Sequence, residues 1–387
     1  MNMKKITTIM LGFCVLIFAS QTSYAQKNNA NANCNTPKVK VAVFDGHGGA
    51  QTCIWEAVEA IRIDPAMSVR TVTTSEIAHN ALDSIDALII PGGGGSRQFI
   101  NLGVENQKRI REFVNKGKGV VGICAGAYLL SSTPDYSCMY MNGGKAIDIE
   151  HDNRGRGIAK FSLTPEGKKL FPELANRDLS YVMYYEGPVY VPNTEDKIKY
   201  TTYAMMESDV HEEGNAPSNM TKNKPFFIAN SYGKGRVFSS IAHPEATPGM
   251  QWMIPRMVRW TLNMPIVSYK KAAVNPDVFN KEILMSKDRL SKEEKFVPVF
   301  TKGNSTQKIE ALDWMQSVNS WEAKRYIQSM LYDADAAVRL RAAKYVSEVG
   351  YLKYLNDMRS AYKDEKDAAT KRQMKVYLDN LEAMIKH

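Results

Sequence analysis

Three stretches of this chain combine residue types able to break an acyl bond. The first is Val120-Val121-Gly122-Ile123-Cys124-Ala125-Gly126-Ala127-Tyr128, an apolar run ending in a cysteine with a glycine two positions to either side. Read as a strand turning straight into a helix, it puts Cys124 on a strained elbow, where only small neighbours tolerate the approach of adjoining backbone. The helix N-terminus just beyond favours a thiolate through its dipole and free N–H groups. The second is Ile90-Pro91-Gly92-Gly93-Gly94-Gly95. Backbone at Gly93 and Gly94, free of side chains, can aim N–H groups at an oxyanion, and Ala125, the residue after the cysteine, supplies another donor. Ser96 and Arg97, next in the chain, can instead grip a substrate carboxylate. The third is Ser240-Ile241-Ala242-His243-Pro244-Glu245. In extended backbone, residues two apart face the same side, so His243 and Glu245 can act as the base and its orienting carboxylate.

Each signal has a plainer reading beside it. A lone cysteine is usually a small buried hydrophobe, a glycine run a turn, and a His-x-Glu a solvated loop. His47, in Asp45-Gly46-His47-Gly48-Gly49 at the end of the first strand, is a second-rank candidate for the same edge. His79, His151 and His211 stand in polar stretches, and His387 is terminal. No close His/Cys/carboxylate spacing suggests a metal, so neither metal nor cofactor is expected.

The elements that must position these residues follow an alternating pattern. Apolar runs at 39–44, 68–73, 87–90 and 119–123 read as strands, with helices at 50–61 and 105–115 between them. Such alternation predicts a parallel α/β sheet whose site lies at the C-terminal strand ends. Residues 140–240 turn β-rich, with strands expected at 146–150, 184–191 and 199–206 and a hairpin at Tyr232-Gly233-Lys234-Gly235. A helix at 250–262 closes a domain spanning 38–268. From 276 to 387 helix formers dominate, and residues 339–346 echo 308–315, while Asp367-Ala368-Ala369 echoes Asp335-Ala336-Ala337. Helical repeats are expected there.

Composition narrows the class. With 387 residues, 44% hydrophobic and 24% charged, the chain is ordinary globular material with room for two or three domains. Lys4 and Lys5, the apolar run at 6–19 and Ser23-Tyr24-Ala25 read as a secretory signal over residues 1–25, followed by a polar linker at 26–37. A secreted or periplasmic location is expected, with no stable membrane span after cleavage. The net charge of +9 is dispersed and not gathered in runs, so nucleic acid is not an expected partner. Of the remaining cysteines, at most one disulfide is expected, drawn from Cys34, Cys53 and Cys138.

The order of strand, glycine run, helix, strand, cysteine elbow and distant His-x-Glu resembles the class I glutamine amidotransferase-like superfamily. The wording Phe44-Asp45-Gly46-His47-Gly48-Gly49-Ala50, Gly122-Ile123-Cys124-Ala125-Gly126-Ala127-Tyr128 and Tyr184-Tyr185-Glu186-Gly187-Pro188 is similar to the N-terminal domain of biotin-protein ligases, over residues 38 to about 265. The resemblance implies a flavodoxin-like parallel sheet with flanking helices and a Cys124, His243, Glu245 triad, with an oxyanion hole near Gly93 and Ala125. It also makes Tyr185 and Glu186 candidates for the pocket wall, packing being the other role open to them. The C-terminal all-α part resembles HEAT repeats. Departures matter too: Arg154-Gly155-Arg156-Gly157 superficially resembles a ligase adenylate loop, but no ligase module surrounds it, so biotinylation is not expected.

Three functions follow as expectations. The leading one is an exported thiol hydrolase acting on an amide or small peptide C–N bond. The second is a silent envelope binding or scaffold protein that uses the same pocket and docks a protein partner on its helical repeats. The third is a redox sensor built on Cys124, for which no resolving cysteine is close in sequence.

Overall fold

The run Val-Lys-Val-Ala-Val-Phe opens the sheet as β1 (Val39–Phe44), whose last four residues are buried. The computed structural model describes residues 38–385 apart from 152 and 215. The expected signal segment, the linker, Cys34 and His387 lie outside the described residues. The other strands are β2 (Met67–Val72), β3 (Ala87–Ile90), β4 (Gly119–Ile123), β5 (Gly144–Ala146), β6 (Arg156–Leu163), β7 (Ser180–Tyr185), β8 (Tyr190–Pro192), β9 (Thr201–Met206), β10 (Pro225–Tyr232), β11 (Gly235–Ser240) and β12 (Ile283–Leu284).

Ten of these strands join one sheet in the order β12-β6-β9-β10-β11-β4-β3-β1-β2, with β7 also paired to β6. From β2 to β11 all pairings are parallel, in the order β2-β1-β3-β4-β11. That is the flavodoxin-like order, in which ligands sit outside the carboxyl ends of the strands. Beyond β11 the sheet turns antiparallel, because β10 and β11 form the expected hairpin at Tyr232 to Gly235. Val41, Val43, Ile89, Val121 and Ile123 are all buried on the sheet, and Ile54, Ala57, Met253 and Met257 from helices Gln51–Ile61 and Met253–Thr261 join the same core.

Three expectations for the middle of the chain need correction. Residues 146–150 are not a strand: β5 ends at Ala146 and a single 3-10 turn follows over Ile149–His151. Residues 184–191 are broken in two, because Glu186 takes a φ of 52° and Pro188 has no N–H to give a ladder. β6 has no counterpart in the expected pattern. It begins Arg-Gly and buries Ile158, Ala159 and Phe161 on both faces, so no period of two marks it. The helix expected at 105–115 starts earlier, at Gly95, and bends at Gly103, where φ is 68°.

Past β12 the described residues are mainly helical. Helices Lys287–Phe296, Ser305–Ser317, Ala336–Val349 and Ala368–Ala383 are each capped by the residue before them. Ser286, Asn304, Asp335 and Asp367 accept the N–H two or three residues on, which relieves the orphan donors of a helix start. The echo of Asp335-Ala336-Ala337 in Asp367-Ala368-Ala369 is therefore a repeated helix start. Leu312, Met315, Ile327, Val338, Tyr345 and Leu378 belong to the same buried cluster as the sheet residues, so these helices share its core. Among the described residues, no helix is long and apolar enough to cross a membrane.

Candidate active site

Cys124 sits between β4 and helix Ala125–Leu130 with φ 51° and ψ −105°, a conformation that L-residues hold only under constraint. Its neighbours supply the constraint. The Cys124 N–H donates to Ser240 O at 2.8 Å. A methyl on Gly122 would come within 2.6 Å of Gly126 O, and one on Gly126 would overlap Ile90 O. Both glycines are therefore required by the elbow. Cys124 itself is 7% exposed, and its thiol donates to Tyr185 O at 3.2 Å.

His243 follows β11, the strand beside β4, and enters the 3-10 turn Pro244–Ala246. Its N–H donates to Met183 O (2.7 Å), and the Thr247 hydroxyl donates to its carbonyl (2.7 Å), which fixes the backbone that carries the ring. Nδ1 lies 2.7 Å from Glu245 Oε1, and both residues are buried. The imidazole also faces the thiols of Cys124 and Cys53. Burial opposes a proton on this ring, yet the facing Cys124, Glu245 and Cys53 outweigh it. The imidazole is held well above its ordinary value.

The cavity in front of these groups measures about 540 Å³. Gly93, Gly94, Ser96, Arg97, Ala125, Tyr185 and Glu186 all line it, together with Cys124 and His243, so most of the expected pocket residues converge there. Gly94 needs a correction as an oxyanion donor, because its N–H already donates to Gly48 O at 2.8 Å. Gly93, with φ 138°, and Ala125 line the cavity wall. His47 is also corrected: it is exposed and does not line the cavity. The turn after β1 is tied down by its backbone, with Gly49 bridged to Gly93 and Ala50 N–H donating to Gly92 O (2.9 Å), and this leaves the His47 side chain outside.

Several site residues escaped the sequence reading. Cys53 and Cys138 are both free and buried, so no disulfide joins them, and Cys53, in the first turn of helix Gln51–Ile61, meets His243. Its place at a helix start just after β1, on the same sheet edge as the elbow, is the signal that could have found it. Burial pushes the Cys53 thiol up, with His243 working in the opposite direction. Trp321, from the C-terminal helical part, packs edge to face on His243 with ring centroids 4.8 Å apart and touches Tyr185 at 5.5 Å. Arg156 donates to Tyr185 Oη (2.7 Å) and pairs with Glu293 (2.8 Å), whose other oxygen accepts from Ser320 Oγ (2.5 Å). No periodicity or motif points to Trp321, Glu293 or Ser320. Arg154, of the expected adenylate-like wording, is wholly buried, bonded to Asp148, Tyr184 and Gly187 O, and so holds the turn after β7.

Comparison with known proteins adds a family match. Residues 39–155 match the family described as biotin-protein ligase, N terminal. No curated protein sequence matches the chain. Among solved structures, a ThuA-like protein from Parabacteroides merdae is 12% identical, with a TM-score of 0.43, covering 62% of this chain and all of that one. A ThuA-like protein from Bacteroides uniformis is 12% identical, with a TM-score of 0.42, covering 60% of this chain and 94% of that one. The glutaminase domain of Trypanosoma brucei CTPS, solved with bound acivicin, is 14% identical, with a TM-score of 0.39, covering 60% of this chain and 97% of that one. By its parallel strand order, the α/β part of the chain has a flavodoxin-type fold, extended by a C-terminal helical region.

Proposed function

We propose that this protein is a cysteine-dependent hydrolase of the amidase type, acting on a C–N bond of an amide or small peptide. The observation that carries the reading is one buried imidazole, bonded to Glu245 through Nδ1 and facing the thiol of a strained elbow cysteine across the same cavity. Cys124 Sγ attacks the carbonyl carbon while His243 holds the thiol proton. The oxyanion forms against the N–H groups of Gly93 and Ala125. His243 then passes the proton to the departing amine, and water attacks the thioester with the same imidazole as base. Glu245 keeps the ring in the tautomer and orientation that this exchange needs. Arg97, exposed at the cavity wall beside Gly94, is a cation for a carboxylate on the substrate.

The helical region serves the site itself in this reading, since Trp321 and the Ser320–Glu293–Arg156 chain wall the cavity. Export through residues 1–25 is part of the proposal and rests on the sequence pattern alone.

The test is the rate of iodoacetamide labelling at Cys124 at mildly acidic pH, read by peptide mass spectrometry. Fast labelling that falls by roughly 10²-fold or more in His243→Ala is expected from an imidazole-activated thiol. Labelling no faster than that of a free thiol, and indifferent to the substitution, would overturn the reading.

A further inference from the structure

Hydrolysis by Cys124, His243 and Glu245 leaves Cys53 without a task, although it touches the same imidazole. We propose that Cys53 and His243, with Glu245 beside them, form a binding site for a soft divalent metal ion, Zn²⁺ by preference. The Cys53 sulfur, a His243 ring nitrogen and a Glu245 carboxylate oxygen all lie within 4.8 Å of one another, and all three residues are buried. Cys124 lines the same cavity but stands outside this group.

The donor set selects the metal. A thiolate, an imidazole and one carboxylate suit zinc and its soft relatives, whereas magnesium and calcium seek oxygen-rich cages. The 2.7 Å bond between Nδ1 and Glu245 Oε1 is the contact that fixes a metal-binding histidine, which leaves Nε2 as the ring nitrogen available to an ion. A second feature points the same way. Glu245 Oε2 is buried with no hydrogen-bond partner, an acceptor whose charge a cation next to the imidazole would balance. Cys53, Cys124 and His243 also line the cavity, so the ion has an entry path and a position open to water.

Binding involves no redox step: the Cys53 thiol loses a proton as its sulfur–metal bond forms. An ion on the His243 imidazole occupies the lone pair that would take the Cys124 proton, so occupancy silences that thiol. That last consequence rests on the hydrolase reading, whereas the site itself does not.

The experiment uses the full chain freed of metal with a chelator and titrated with Co²⁺, then with Zn²⁺ against a chromophoric chelator. One ion per chain is expected, with a thiolate-to-cobalt charge-transfer band that Zn²⁺ abolishes. Cys53→Ser should abolish the band, and Glu245→Gln should weaken Zn²⁺ binding by about 10–100-fold. Cys138→Ser should change nothing, and near-UV circular dichroism checks that each variant folds. A missing band, or one that survives Cys53→Ser, overturns the proposal. Iodoacetamide labelling of the metal-free protein separates the two ideas. Fast labelling of Cys124 without a cobalt band sinks the metal site alone, whereas a band on a slowly labelled protein upholds the site and sinks the hydrolase.

Discussion

Gly92 shows how closely the site is packed around its base. A methyl at this position would stand 2.7 Å from His243 Cε1 and 3.0 Å from Cys53 Sγ, so the imidazole could not keep its place. Gly92→Ala is therefore expected to tilt the ring and slow Cys124 labelling by on the order of 10²-fold, the usual cost of a displaced catalytic group. Stability should fall by only about 1–3 kcal/mol, as for a modestly overpacked site. A labelling rate equal to that of the unaltered protein would mean that His243 does not govern Cys124. At this scale the chain is readable where chemistry and spacing coincide. Cys124, His243 and Glu245 stand out because an elbow needs Gly122 and Gly126, and because residues two apart share a side. Cys53 does not, because its partner stands far along the chain, where no local rule applies.

Among the elements, the parallel strands are legible because short apolar runs rich in β-branched residues mark strands covered on both faces. β4 is such a run: Val120, Val121 and Ile123 stand with Gly119 and Gly122, and all five residues are buried. β6 is illegible for the opposite reason: Arg156, Gly157, Lys160 and Ser162 interrupt its apolar residues, so no apolar run marks it. The helix starts are readable as caps, and one acidic residue shows what holds the helices together. Glu365, after helix Leu355–Asp364, accepts from Arg339 Nε (2.8 Å) and Nη2 (2.7 Å) and from the N–H groups of Lys366 and Asp367 (2.9 Å each). The Arg339 hydrogen bonds hold its carboxyl below the ordinary value. A carboxyl lowered by folding stabilises the protein above its unfolded value of about 4.3 and loses that contribution as pH falls through the lowered one. Glu365→Gln should therefore cost about 1–3 kcal/mol near neutrality. In urea titrations at successively lower pH, the gap to the unaltered protein should close below about pH 4. A gap that stays constant with pH would refute this role.

At the scale of the whole molecule, the helical region and the sheet are joined through buried charge. Lys324 pairs with Glu56 of helix Gln51–Ile61, with side chains 5% and 12% exposed, and Trp321 Nε1 donates to the same carboxylate at 3.3 Å. Burial pushes the Glu56 carboxyl up, and Lys324 works in the opposite direction. Lys324→Met would leave that carboxylate close to Glu245 without its cation, at an expected cost of about 3–5 kcal/mol. Adding Glu56→Gln should restore most of the loss, because the uncompensated charge is then gone. Denaturant midpoints of the two single variants and the double variant check this, and simple additivity would refute it. Gln251 Nε2 donating to Val349 O (3.0 Å) and Asn319 Nδ2 donating to Ala246 O (3.3 Å) tie the same two parts near the His243 turn.

The sequence by itself determined the parallel α/β arrangement, the elbow and the His-x-Glu pair, since each depends on the periods and backbone demands of a few consecutive residues. Only the tertiary structure decided that Gly94 gives its N–H to Gly48, that His47 faces outward, and that Cys53 and Trp321 stand against His243. Those contacts join residues far apart in the chain. They arise from the packing of whole elements at the sheet edge, where burial and hydrogen-bond geometry are settled by neighbours that no local pattern names.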